Sequence, residues 1–473
     1  MATPHESRYI IPGVYIEEKI LLPPSVTQVN SCVPVFIGYT QMSDESAVRF
    51  KPVKISTLFE YISIFGGEEE KEITVTLSDT DTPVLLQMSM PEITHHLYYQ
   101  LEMFYANGGR DCYIISVGDY SMMPVCGDAA KPEGLLGGLS IAAVQTGITL
   151  LVIPEAVLLN EPDYTTVVRN MLEQCGILKD RFAIIDVYNG ATYSQQIIDD
   201  HRSAVGDSYL KYAASYFPYL NTSLLRGFKD ALINIEQPGG ELHNKKLSEE
   251  IATTNGCFFI KDKYPALYND ILTEWNKHTI TLSPSATIAG VYSSVDNQRG
   301  VWKAPANISL SNVLSPAAVI DDEIQSGLNV DVTEGKSINA IRSFYGKGVL
   351  VWGARTLDGN NNEWRYISVR RFFIMLEESV KLSLAPFAFE PNDGNTWVKV
   401  RAMIENFMTN LWRQGALQGA KPEEAFFVKA GLGDTMTIDD ILNGRMIVEI
   451  GVAPVRPAEF IVISIAQIMC KDC

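Results

Sequence analysis

Two hydrophobic periods alternate along the first two thirds of the chain. VPVFIGYT (33–40) is a continuous apolar run of strand length, whereas STLFEYISIF (56–65) changes to helical spacing, with Ser56 placed as N-cap and Gly66-Gly67 as the stop. The exchange then repeats. HHLYYQLEMFYANGG (95–109) precedes the strand CYIISV (112–117), GLLGGLSIAAVQ (134–145) precedes TLLVIP (149–154), and YTTVVRNMLEQC (164–175) precedes RFAIIDV (181–187). Apolar, β-branched strands alternating with helices predict a largely parallel sheet covered by helices. The predicted fold class is therefore a multi-domain α/β protein whose α/β body spans 32–339. Two stretches break the rhythm. Pro83 and Pro91 in mixed polarity mark 78–92 as a surface excursion, and 220–250, ending in GGELHNKKLSEE, has the same character.

From residue 340 to 473 the periodicity sharpens. Val369, Phe372, Phe373, Leu376 and Val380 recur at helical spacing over 366–384, and Pro386 ends that helix. Trp397, Val400, Ile404, Phe407, Leu411 and Trp412 form a second stripe over 396–414. The strands RMIVEIGVA (445–453) and EFIVISIAQ (459–467) supply a sheet, so this part is expected to be an α+β domain. EFIVISIAQ, with Phe460, Ile461, Val462, Ile463 and Ile465, is apolar on both faces, as expected for a strand buried on both sides, and its place beyond Pro454 and Pro457 leaves it able to reach out of its own domain. At the other end, Pro12-Gly13 and Pro23-Pro24 bracket VYIEEKILL. That is too short and proline-bounded for a helix, and Val14 and Ile16 alternate with Tyr15 and Glu17. Residues 1–31 are therefore expected to form an extended arm able to pair with a sheet edge.

Charge separates the same regions. The formal net charge is −18, yet residues 340–473 carry 15 basic and 15 acidic residues; the whole imbalance, 23 basic against 41 acidic, lies in the first 339. So acidic a chain is unsuited to a phosphate backbone, and nucleic acid is not expected as a partner. The pattern instead suggests an acidic, solvated body and a charge-balanced part fit to pack against copies of itself. No apolar run reaches the ~20 residues of a membrane helix. MATPHESRYI lacks a basic-then-apolar leader, and seven scattered cysteines argue for reduced thiols, so the expectation is synthesis in a cytoplasm.

Motifs for chemistry do not assemble. Gly335-Lys336-Ser337 has Val330 where a phosphate loop needs its first glycine, and Gly431-Leu432-Gly433 lacks the third glycine of a dinucleotide loop. No GxSxG elbow occurs, and none of the six histidines lies in a metal-binding spacing. His95 and His96 are adjacent and so point apart on a helix. Cys470 and Cys473 form a lone CxxC at the end of the sequence. No catalytic, cofactor-binding or metal-binding residue is expected.

Five segments, in order, carry a family resemblance: PGVYIEE (12–18), FYANGGRDCYIISVG (104–118), SPSATIAGVYSSVDNQRGVWKAPAN (283–307), SINAIRSFYGKGVLVWGARTL (337–357) and RMIVEIGVAPVRPAEFIVISIAQ (445–467). Together they resemble the contractile-tail sheath proteins of phage tails, pyocins and extracellular contractile injection systems. The resemblance implies a structural subunit without enzymatic activity, polymerised with copies of itself in stacked six-subunit rings around an inner tube protein, and meeting baseplate and terminal cap proteins. It implies no cofactor and no direct membrane insertion. Residues 340–473 would be the sheath assembly domain, with N- and C-terminal arms inserted as strands into neighbouring subunits, and Arg299, Trp302, Pro305 and Asn307 would be a rigid connector between body and assembly domain. The competing readings are one component of the two-protein sheath of type VI secretion and an α/β hydrolase or nucleotide-binding enzyme. The presence of both terminal patterns in one chain favours a one-protein sheath.

Overall fold

A computed structural model describes residues 25–43, 48–80, 82–253 and 256–460. The chain divides into two compact units. One comprises Val29–Glu378 with the residues from Pro454 onward; the other comprises Ser379–Ala453 with the residues up to Gln28.

In the larger unit, six parallel strands stand in the order Ile338–Phe344, Ala213–Phe217, Phe182–Asp186, Leu150–Val152, Pro34–Thr40 and Cys112–Asp119. Antiparallel strands extend both edges: Val53–Ile55 beside Cys112–Asp119, and Gly348–Val351 then Ile308–Ser309 beside Ile338–Phe344. Pro34–Thr40, Leu150–Val152, Phe182–Asp186 and Ala213–Phe217 are buried at every position, as an apolar run covered on both faces requires. Both faces carry helices. Phe36 meets Phe104 of the helix Leu97–Ala106, with ring centroids 5.1 Å apart. On the opposite face Ile37 lies under the helix Gly134–Val144, where a Cβ on Gly138 would come within 2.5 Å of the Ile37 side chain. The helix Ser285–Arg299, which contains AGVY, is buried along most of its length and packs on Leu97–Ala106.

Several sequence expectations are corrected in detail. The N-cap of Leu58–Phe65 is Thr57, whose hydroxyl accepts the Glu60 N–H at 3.2 Å; Ser56 instead donates its N–H to the Glu60 carboxylate at 2.7 Å. The stretches 78–92 and 220–250 are not mere excursions. Leu85–Ser89, Ile233–Glu236 and Lys245–Lys246 join Ile73–Leu77 in a four-stranded sheet. Its core is Ile73, Val75, Ile233, Ile235, Ile271 and Trp275, the last two from the helix Pro265–Trp275. The partners of this sheet lie far apart in sequence, so local polarity concealed it. The boundary expected between 339 and 340 falls inside the strand Ile338–Phe344, which pairs in parallel with Ala213–Phe217, and the division by contacts comes at Glu378/Ser379.

The division lies within the helix Ile367–Leu384, which ends at Pro386 as expected. In the smaller unit the helix Gly394–Arg413 starts on Asp393, whose carboxylate accepts the N–H groups of Asn395 and Thr396 at 3.0 Å. Its buried stripe is Val400, Met403, Ile404, Phe407, Met408 and Leu411, while Trp397 and Trp412 are only half-buried. It packs on Phe426–Lys429, which pairs antiparallel with Glu449–Val452. The sequence reading found the second of these strands and missed the first.

Candidate functional site

Open parallel sheets hold ligands beyond the carboxyl ends of their strands, where the strand order reverses. Here that place lies between Pro34–Thr40 and Leu150–Val152, and it is filled by protein. Glu155, in the 3-10 turn Pro154–Leu158 that follows Leu150–Val152, is completely buried and accepts the N–H groups of Tyr39 at 2.7 Å, His96 at 3.0 Å and Leu97 at 3.3 Å. Burial pushes its carboxyl up to about 7, against the pull of those N–H groups and of His95.

Beside it, His95 contacts the Met122 carbonyl at 2.8 Å and the Glu69 carboxylate at 3.0 Å. Burial alone would raise Glu69, but the hydrogen bonds from His95 and Thr94 outweigh it and hold Glu69 at about 2. Burial lowers His96 to about 4. The two histidines thus serve different packing roles, and among the described residues no group of three His, Cys, Asp or Glu side chains is placed to hold a metal ion. Lys336, the lysine of the incomplete phosphate loop, is buried and committed: its Nζ donates to the Arg202 carbonyl at 2.9 Å and lies 2.7 Å from Glu334 and 3.0 Å from Asp207.

The residues expected to connect two domains lie within the larger unit. Arg299 ends the helix Ser285–Arg299, which is capped by Gly300 at φ +88°, where a side chain would be strained. Trp302 is buried edge-on against Phe372, with ring centroids 6.4 Å apart, and Pro305 is buried. Asn307 is exposed at φ +57° and donates its N–H to the Val351 carbonyl at 2.7 Å. This run carries the chain from a central helix to the sheet-edge strand Ile308–Ser309.

Of the expected arm residues, Phe460 is described and 72% exposed; Val14, Tyr15, Ile16, Glu17, Ile461, Val462, Ile463 and Ile465 lie outside the described residues. The described residues that adjoin these stretches are tied down. Glu459 is held by Arg355, with Nε 2.9 Å from Oε1 and Nη2 2.7 Å from Oε2, and it also accepts from Asn329 Nδ2 at 3.0 Å and Tyr366 OH at 3.3 Å. Burial would raise Glu459, but these donors lower it below the usual carboxylate range. At the N-terminal root, Ser31 Oγ donates to Asp296 at 2.6 Å, and Arg371 Nη2 donates to the Ser31 carbonyl at 3.0 Å and to Asp296 at 2.6 Å. Arg355, Arg371 and Asp296 were missed by sequence reasoning, although arginines inside the apolar runs VWGARTL and VRRFFIML were a visible signal of paired, buried charge.

The ribbon Phe426–Lys429/Glu449–Val452 has two strands among the described residues, and two strands alone are marginal in water. Residues 359–468 match the family model of the phage tail sheath C-terminal domain. Over 142 residues the chain is 28% identical to the tail sheath protein of Burkholderia phage BcepMu, a match that spans 29% of each protein. Likeness to solved structures runs over nearly the whole length. The helical sheath of the anti-feeding prophage in its contracted state is 30% identical, with 97% of this chain and 99% of that one covered at a TM-score of 0.64. The sheath complex of the extracellular contractile injection system PVC, also contracted, is 29% identical, with 97% of both chains covered and the same TM-score.

Proposed function

Because this chain belongs to the contractile tail sheath family, and is thus a sheath subunit of a phage tail or tail-like injection particle, we propose that it polymerises helically around an inner tube and contracts to drive that tube through a target envelope. The observation that carries the reading is end-to-end similarity, at 30% identity, to a protein solved as a contracted helical sheath. Subunits stack as six-membered rings that end on a baseplate and a terminal cap; a related chain has been solved in a six-fold symmetrised baseplate. The acidic body faces outward, and Ser379–Ala453 with the two terminal arms forms the assembly module. Particles are put together in the cytoplasm, and among the described residues no helix is long and apolar enough to cross a membrane.

Assembly works by strand addition, in which backbone hydrogen bonds supply affinity and alternating side chains supply register. Ten such bonds at ~1 kcal/mol each, with buried Ile and Val, amount to roughly 10 kcal/mol per arm. Contraction is a rigid-body rearrangement of bodies about arms that stay woven, driven by energy stored in the extended polymer. The subunit is not an enzyme. Glu155 in the ligand crevice and Lys336 in its internal ion pairs support that reading, because both occupy positions that nucleotide chemistry would need open. The test is to perturb purified extended sheath on its tube with mild acid or denaturant, without nucleotide or metal. Shortening in electron micrographs is expected; a strict requirement for ATP would overturn the mechanism.

A further inference from the structure

Two buried arginines only sixteen positions apart hold the roots of both chain ends. Arg355 is 3% exposed and makes a two-pronged contact with Glu459, while its Nη1 donates to the Asn329 carbonyl at 3.1 Å. Arg371, also 3% exposed, grips Asp296 through both terminal nitrogens, at 3.0 and 2.6 Å, and reaches the Ser31 carbonyl. Its guanidinium carbon lies 4.5 Å from the centre of the Tyr292 ring. The two arginines sit on one short, braced piece of chain. Thr356 N–H bonds to the Arg365 carbonyl at 2.8 Å and Ile367 N–H to the Ala354 carbonyl at 3.0 Å, and the helix carrying Arg371 begins at Ile367.

As a source of stability this arrangement is poor, because the desolvation of buried ion pairs offsets much of their attraction, and apolar side chains of similar volume do as well or better. What a forked guanidinium–carboxylate contact supplies is position and direction. Among the described residues from Pro454 to Phe460, Glu459 is the residue whose side chain enters an ion pair, and it lies one residue before Phe460, the exposed start of the C-terminal arm. Ser31 lies three residues before Pro34–Thr40, a central strand of the sheet. Ser31 and Glu459, which adjoin the two expected arms, are therefore fastened through the same segment.

We propose that Arg355–Arg371 is a staple, with Arg355 and Arg371 as positioning residues, that fixes the exit points of both arms and transmits load between the arms and the sheet. The proposal rests on reading the termini as strands shared with neighbours. It deepens that reading by naming where the pull of a neighbour enters the body.

The test uses the full chain carrying Glu459→Gln, which keeps the side chain's shape and removes its charge. A charge-assisted hydrogen bond is worth about 1.5–3 kcal/mol, so chymotryptic cleavage after Phe460, followed by mass spectrometry, is expected to quicken by about tenfold or more. Amide exchange in the hydrogen-bonded strands Ala213–Phe217 and Ile338–Phe344 should stay as in the unsubstituted protein, which separates loss of the clamp from general destabilisation. Tubes built from the variant should come apart at lower denaturant than unsubstituted tubes. Arg355→Lys, which cannot make the fork, should behave likewise. Unchanged cleavage at Phe460 would overturn the clamp, and faster cleavage with undiminished tube strength would overturn its part in passing load. If the unsubstituted chain itself forms no tubes, the sheath polymer reading fails and the transmission of load falls with it, whereas the cleavage result still reports separately on the clamp.

Discussion

Glu155 accepts the backbone N–H of Tyr39 at 2.7 Å across 116 residues of sequence, and the contact is possible because residue 38 has no side chain. A Cβ on Gly38 would lie 2.6 Å from Glu155 Oε2 and 3.2 Å from Leu97 Cδ2. Glu155 is fully buried and fixed by three N–H groups, so it has no room to withdraw. Gly38→Ala is expected to destabilise the body by ~1–3 kcal/mol, as overpacking does. Gly327→Ala provides the contrast. No atom lies within 4 Å of a Cβ there, the site is inside the helix Asp322–Asn329, and a gain of ~0.5–1 kcal/mol is expected. Urea melts of both variants check the pair; equal stabilities would contradict the packing.

The body's acid sensitivity has an assignable part in His201. Its ring nitrogens meet Tyr164 OH at 3.0 Å and Ser215 Oγ at 2.8 Å, and burial, then the charges of Arg202 and Lys336, lower its pKa to about 3. The unfolded chain protonates near 6.5, so the contribution of neutral His201 is complete above that pH and is lost as pH falls toward 3, at up to ~1.4 kcal/mol per pH unit. Glu155 and Asp186, raised by burial to about 7 and about 6, act with the opposite sign, losing stability as pH rises through those values. Comparison with His201→Gln cancels them. The variant should be less stable at pH 7.5 yet flatter between pH 6.5 and 4, and parallel profiles would show that His201 does not carry the effect.

The α/β body was legible because its signals are local. The apolar run at 33–40, the Gly66 stop and the helix before CYIISV each follow from a few adjacent residues, and each is an element of the fold. What escaped the sequence depends on distant partners. Ile73, Val75 and Leu77 point inward in alternation, but Ile233–Glu236, which completes their sheet, lies some 160 residues away. Ile338–Phe344 joins the parallel core only through Ala213–Phe217, and for that reason the boundary drawn at 340, where the helical periodicity sharpens, cut through a strand. The same holds for the staple: Arg355, Arg371, Asp296 and Glu459 are single charged residues whose pairing appears only in three dimensions.

Salt should reveal how the acidic bodies face one another. The first 339 residues carry the whole net charge of −18, and crowding them in a polymer costs repulsion that ions screen, with a Debye length of ~10 Å at 0.1 M. Raising ionic strength from low to physiological values should lower the protein concentration needed for tube formation and favour the contracted form. Light scattering against salt checks this; a concentration threshold that does not move would mean that the acidic surfaces point away from each other.

If assembly proceeds by strand addition, subunits are held together through their termini while the fold stands without them. Removing residues 1–22 deletes PGVYIEE and leaves the sheet strands from Pro34 onward intact. Negative-stain electron microscopy of the full and shortened chains, with circular dichroism as the control for folding, separates assembly from folding. Tubes are expected from the full chain and a folded, soluble monomer from the shortened one; long tubes from the shortened chain would rule out assembly through the N-terminal arm.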